Sequence, residues 1–141
     1  MTANTDILLV DDDDSSAEVT LNAIHRIAPD LRTLRLKDGD QALQFVFCTG
    51  GYAGRASGMP RLILLEVGIP FISGLQVLDA LRGSSSTSRI PVVMLSSTTN
   101  PAVIVKAYDL GAKAYVVKQV DKYNADVDRV IQRWRRGDLQ Q

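Results

Sequence analysis

The chain has 141 residues, with sixteen Lys and Arg balancing sixteen Asp and Glu for a formal charge of zero at neutral pH. That length accommodates one domain with a real core, so a single domain spanning residues 1–141 is expected, with no room for a cap or an output domain. Balanced charge argues against a nucleic-acid partner, and the absence of a long apolar run argues against a signal peptide or a membrane span.

The lone cysteine, Cys48, excludes an internal disulfide framework and suits a reducing cytoplasm; its apolar helical context predicts a small core residue. Ile7-Leu8-Leu9-Val10 is an uninterrupted apolar run, the pattern of a strand covered on both faces, and it stops at four aspartates, Asp11 to Asp14. Ala17, Leu21, Ile24 and Ala28 then fall at helical spacing, with an acid or serine as N-cap and Pro29 closing the segment. Leu31 to Leu36 reads as a partly exposed strand, and Asp38-Gly39-Asp40 turns it into a helix carrying Ala42, Leu43, Val46 and Phe47.

Gly50 to Gly58 reads as a flexible loop, because a glycine phosphate cradle would have to follow a strand and open a helix. Leu62 to Leu65 is a second buried run, and it ends in Glu66 before the Gly68/Pro70 turn. Leu75, Leu78 and Leu81 mark a third helix from Gly74. Pro91 to Leu95 is a fourth strand, stopping at Ser96-Ser97-Thr98-Thr99. Asn100-Pro101 is a cap and first-turn pair for a helix closed by Gly111. Ala114 to Val117 is a fifth strand ending at Lys118, and Tyr123, Val127, Val130, Ile131 and Trp134 share one face of a last helix.

Five βα units in order predict a doubly wound five-stranded parallel sheet, a (βα)5 flavodoxin-like α/β fold with helices on both faces. Right-handed crossovers carry the strand ends to one edge, where open α/β sheets place their chemistry. Asp11, Asp12 and Glu66 would make an oxygen-rich pocket suited to Mg²⁺, with Lys118 as the alternative source of positive charge. Asp13 and Asp14 read as solvated cap residues.

In this order the motifs resemble the receiver domains of two-component response regulators over nearly the whole chain, and are most similar to the single-domain regulators partnered with bacterial phytochromes. Ile7 to Asp12 looks like the first strand with its metal-binding acidic pair, and Leu64-Leu65-Glu66 like the phosphoacceptor strand. Pro70 with Gly74 resembles the following loop, Ser96 the switch hydroxyl, Tyr115 the switch aromatic, and Lys118 the lysine that contacts the phosphoryl group. The resemblance implies a non-enzymatic, cytoplasmic signalling protein, a sensor histidine kinase or downstream protein as partner, and a metal shell of Asp11, Asp12, Glu66 and the Gly68 carbonyl.

Two departures bear on that function. Glu66 stands where the family has aspartate; its extra methylene adds roughly 1.5 Å of reach, and ordinary aspartyl phosphorylation is not expected there. Glu66 would either partly imitate the phosphorylated state, by meeting Lys118 and Ser96, or leave a degenerate site insensitive to phosphate, and it would weaken or abolish Mg²⁺ binding. Lys118-Gln119 replaces a Lys-Pro pair, which predicts either a trans peptide or a cis bond held by its surroundings.

Apolar residues in excess of one stripe on the Asn100 helix, together with Trp134 and the arginines of the last helix, suggest a self-association surface and a homodimer. Two other readings stay open: an ordinary phosphorylated regulator carrying an introduced Asp-to-Glu change, and a Mg²⁺-dependent phosphatase of the haloacid-dehalogenase type with Asp11 as nucleophile and Asp13 as acid/base. The phosphatase pattern lacks the late acidic metal pair after Lys118.

Overall fold

The computed structural model describes residues 4–55 and 58–139. The elements alternate without exception: β1 (Ile7–Val10), α1 (Asp14–Ile27), β2 (Thr33–Leu36), α2 (Gly39–Phe47), β3 (Leu62–Glu66), α3 (Gly74–Arg82), β4 (Val92–Ser96), α4 (Pro101–Asp109), β5 (Ala114–Val117) and α5 (Tyr123–Arg135). The strands pair in the order β2-β1-β3-β4-β5, all parallel, as expected for the flavodoxin-like winding.

Helices α1 to α4 each start where a short polar side chain satisfies an otherwise orphaned backbone N–H, whereas α5 begins after Lys122 without such a cap. The Asp13 carboxylate accepts from the Ser16 N–H at the head of α1, and Asp38 accepts from Gln41 at the head of α2. Ser73 and Gln76 form a reciprocal capping box on α3, and Asn100 caps α4 ahead of Pro101. Gly111, at φ +95°, closes α4 in a conformation that a side chain resists.

β1, β3 and β4 are buried along their whole length, which is why their sequences are continuous apolar runs and not alternating ones. One core lies under α2, α3 and α4, around Leu8, Ile63, Leu65, Met94 and Leu78. The other lies under α1 and α5, where Leu9, Leu64, Leu95, Val127, Ile131 and Trp134 meet.

Two sequence expectations change here. Cys48 is half-buried, not a core residue; it ends α2 at φ +55°, a left-handed position that orients the chain away from the helix. The segment from Gly50 is not featureless either. It makes a 3₁₀ turn over Gly50–Tyr52, and the Arg55 guanidinium donates to the Phe45 and Gly58 carbonyls while stacking 4.2 Å over the Phe45 ring. The rest of that loop, residues 56–57, lies outside the described residues. Lys118-Gln119 is trans, one of the two outcomes expected.

Candidate functional site

Sheet register brings the chemistry together. Val10 pairs with Leu65, Glu66 with Leu95, and Ser96 with Val117, so Asp11, Glu66, Ser96 and Lys118 emerge side by side at the carboxyl edge. Gly74 fixes the depth of Glu66: its N–H donates to the Val67 carbonyl at 2.8 Å, and a Cβ at position 74 would collide with the Glu66 carbonyl oxygen.

Asp11 is fully buried and fully engaged. Its Oδ1 accepts from the Asp13 N–H at 3.0 Å, and its Oδ2 accepts from Ser16 Oγ at 2.8 Å and from Lys118 Nζ at 2.8 Å. From behind, Arg35 of β2 donates twice to the Asp11 carbonyl, at 2.9 and 2.8 Å, and once to Asp14. Glu66, also buried, accepts from Lys118 Nζ on Oε1 at 3.0 Å and from the Val67 N–H on Oε2 at 2.9 Å. Lys118 Nζ donates to a third oxygen, Ser16 Oγ, at 2.9 Å.

Burial pushes the Glu66 carboxyl above its ordinary range, and the nearby Asp11 charge adds to that; Lys118 offsets it only in part. Burial pulls the Lys118 ammonium down, but the hydrogen bond to Asp11 and the charges of Glu66 and Asp11 outweigh it, so its pKa is raised. Both directions have one cause: two carboxylates and one cation share a largely dry space.

The remaining expected residues sit elsewhere. Ser96 is buried, but its hydroxyl accepts from the Thr98 N–H at 3.0 Å, and Glu66 bonds to Lys118 and Val67 instead of meeting Ser96. The Glu66 carboxylate lies against Lys118, which in turn bonds to Ser16 of α1. Tyr115 is a half-buried strand tyrosine whose hydroxyl donates to the Thr98 carbonyl at 3.1 Å, tying β5 to the loop after β4.

Asp12 and Gly68 are exposed, and among the described residues no three acidic, histidine or cysteine side chains gather so as to hold a metal ion. The expected Mg²⁺ shell of Asp11, Asp12, Glu66 and Gly68 is therefore not assembled. Alternation along the strand exit turns Asp11 inward and Asp12 outward, and an ammonium stands between the two inward carboxylates. This donor set does not fit a divalent cation as arranged.

Three participants were not singled out from the sequence. Ser16 joins Asp11 to Lys118; its signal was a hydroxyl on the first turn of a helix that follows an acid-ended strand. Arg35 was hidden in a partly exposed strand. Thr20 donates to the Ser16 carbonyl at 2.9 Å, and because that uses its only proton, the Tyr123 hydroxyl donates to Thr20 at 2.7 Å. Desolvation makes the buried Tyr123 phenol hard to ionise, and the Asp11 and Glu66 charges add to that.

Beside this cage a cleft of about 510 Å³ opens between α1 and the start of α5, lined by Ser15, Ser16, Glu66, Lys118, Tyr123 and Asn124. Two apolar side chains in the surrounding loops point outward. Val120 is fully exposed, and Phe71, 88% exposed, sits at φ +72° in a γ-turn closed by the Ile72 N–H on the Pro70 carbonyl.

Residues 7–126 match the response regulator receiver domain family. The chain belongs to that family. This receiver is 30% identical over 112 residues to the response regulator Rcp1 of Synechocystis sp., covering 79% of this chain and 75% of the relative. The Mn²⁺-bound form of Rcp1 superposes with a TM-score of 0.83 at 27% identity, covering 91% of this chain and 92% of that one. The phosphorylated cyanobacterial phytochrome response regulator RcpA gives a TM-score of 0.84 at 28% identity over 94% of each chain. The bacteriophytochrome response regulator RtBRR gives 0.76 at 38% identity, covering 89% of this receiver and 76% of that protein. The receiver is thus related to phytochrome response regulators. Among its described residues no helix is long and apolar enough to cross a membrane.

Proposed function

We propose that this receiver is a cytoplasmic two-component signalling protein that works without phosphorylation, by protein contact and not by catalysis, with Glu66 at the phosphoacceptor position. The observation that carries this is the Glu66 carboxylate at the end of the central strand, bonded to Lys118 Nζ at 3.0 Å. A phosphoryl oxygen would need that same ammonium, and a glutamate already occupies it. Imitation of phosphate is partial: one negative charge stands in for about −1.5 to −2, and the Glu66 oxygens bond to Lys118 and Val67, not to Ser96.

The phosphatase reading has little support, because the Asp11 carboxylate is tied to Lys118 and Ser16 while Asp13 caps α1. The partners we assign are a sensor histidine kinase of the phytochrome type, a downstream signalling protein, and a second copy of the chain. Self-association is supported by the outer face of α4, where Val105 and Tyr108 are 57% and 48% exposed.

The test treats the native protein and Glu66→Asp with acetyl phosphate and reads the mass of the peptide containing residue 66. Native protein should stay unmodified while Glu66→Asp gains one phosphoryl group. A phosphoryl mass on native Glu66 sinks the proposal.

A further inference from the structure

We infer that the Lys118 ammonium is the resident cation of this site, and that Ser16 is the positioning residue that holds it there, so that the two inward carboxylates are held by an ammonium in place of a divalent metal. The inference rests on the proposed role of Glu66 and deepens it: it concerns how the pocket is charged, not whether it takes up phosphate.

An ammonium has three N–H donors and no acceptor. Here all three are used, on Asp11 Oδ2 at 2.8 Å, Ser16 Oγ at 2.9 Å and Glu66 Oε1 at 3.0 Å. Two of those acceptors are the inward carboxylates that a metal would need. Ser16 matters because it acts on both partners: its hydroxyl accepts from Lys118 and donates its proton to the same Asp11 oxygen that Lys118 holds. That closes a hydrogen-bonded ring of Nζ, Oγ and Oδ2, so moving the ammonium aside breaks contacts to Ser16 and Asp11 together.

A divalent ion entering here would have to break the Lys118 contacts with both carboxylates, turn Glu66 Oε2 off the Val67 N–H and draw in the exposed Asp12. Mg²⁺ keeps most of its water and binds through one or two available carboxylates, and here both inward carboxylates are already held by Lys118. Arg35, doubly bonded to the Asp11 carbonyl, adds a second fixed cation behind the same residue and stiffens the acidic segment.

The test is a Mn²⁺ titration of the whole chain, read by paramagnetic broadening of the Asp12, Val67 and Gly68 amide resonances and by the Tm in Mg²⁺ against EDTA. Native protein should show no selective broadening at millimolar Mn²⁺ and the same Tm in both buffers. Lys118→Met, left with two facing carboxylates, should gain Mn²⁺ binding and a Tm rise in Mg²⁺ of about 4 °C or more. Ser16→Ala should bring selective broadening of the same amides into the millimolar Mn²⁺ range through loss of one hydrogen bond to the ammonium, and Ser16→Thr, which keeps the hydroxyl, should show none, as in native protein. A purely structural role for Ser16 would lower Tm without changing metal affinity.

Should Lys118→Met fail to fold, the native and Ser16 titrations still decide. Native protein that broadens at Asp12 and Gly68 and gains Tm in Mg²⁺ overturns the inference. If that happens while acetyl phosphate leaves residue 66 unmodified, the phosphate-independent reading stands and only the cation assignment falls. A phosphoryl mass on Glu66 removes the reading itself.

Discussion

Helices α4 and α5 leave neighbouring strands of one sheet and are held in opposite ways. α5 buries Tyr123, Val127, Val130, Ile131 and Trp134, a full stripe repeating at three and four residues, and its first residue is bonded to Thr20 of α1. α4 buries Ala107 alone and turns Val105 and Tyr108 to solvent. The difference separates two uses of apolar residues. In α5 they stabilise the fold and anchor the loop carrying Lys118; in α4 they exceed what the core can use and remain available for contact.

Substitutions can break or sharpen that contrast. The largest loss is expected for Lys118→Met, which leaves two carboxylates buried without their cation: about 3–5 kcal/mol, measured by chemical denaturation. The pH dependence of this contribution has a definite sign. The folded lysine has a raised pKa, so its contribution is full below the unfolded value of 10.5 and is lost as pH climbs through the higher folded value. Glu66 acts in the acid range: with its pKa raised above 4.5, the folded state binds more protons, and stability falls as pH rises from 4.5 through the folded value. Stability curves of native protein and Glu66→Gln should diverge across that acid window.

Next comes Ile131→Ala in α5, fully buried and expected to cost about 2–5 kcal/mol. Tyr123→Phe should cost about 1 kcal/mol, since it removes one buried hydrogen bond and leaves the Thr20 hydroxyl its bond to Ser16. The smallest stability effect is expected on α4: Val105→Asp should lie within about 0.5 kcal/mol of native, yet shift sedimentation toward the monomer. Equal destabilisation by Val105→Asp and Ile131→Ala would erase the distinction between the helices.

Much of this was legible in the sequence because burial on two faces leaves a plain record. Ile7 to Val10 and Leu62 to Leu65 could hardly be anything but central strands, and the α5 stripe was read residue for residue. Asp11, Glu66 and Lys118 were found together because strand ends of a parallel sheet share an edge. What escaped depends on rotation about single bonds and on contacts between distant segments. Asp11 and Asp12 are chemically identical neighbours, and only the direction of each side chain makes one a buried ligand of Lys118 and the other a solvated acid. Ser16 meets Lys118 across more than a hundred positions, so no local pattern announces it. Of the two contacts expected for Glu66, the one with Lys118 forms and the one with Ser96 does not, because the second carboxylate oxygen turns to the Val67 N–H.

The three bonds to Lys118 have one more consequence. A lysine side chain carries roughly 1.5–2 kcal/mol of rotational entropy, and most surface lysines spend it when something binds them. Here it is spent during folding, before any partner arrives. A protein that docks over the cleft between α1 and α5 meets a face already set in one shape, and its affinity is not reduced by the cost of stilling that side chain.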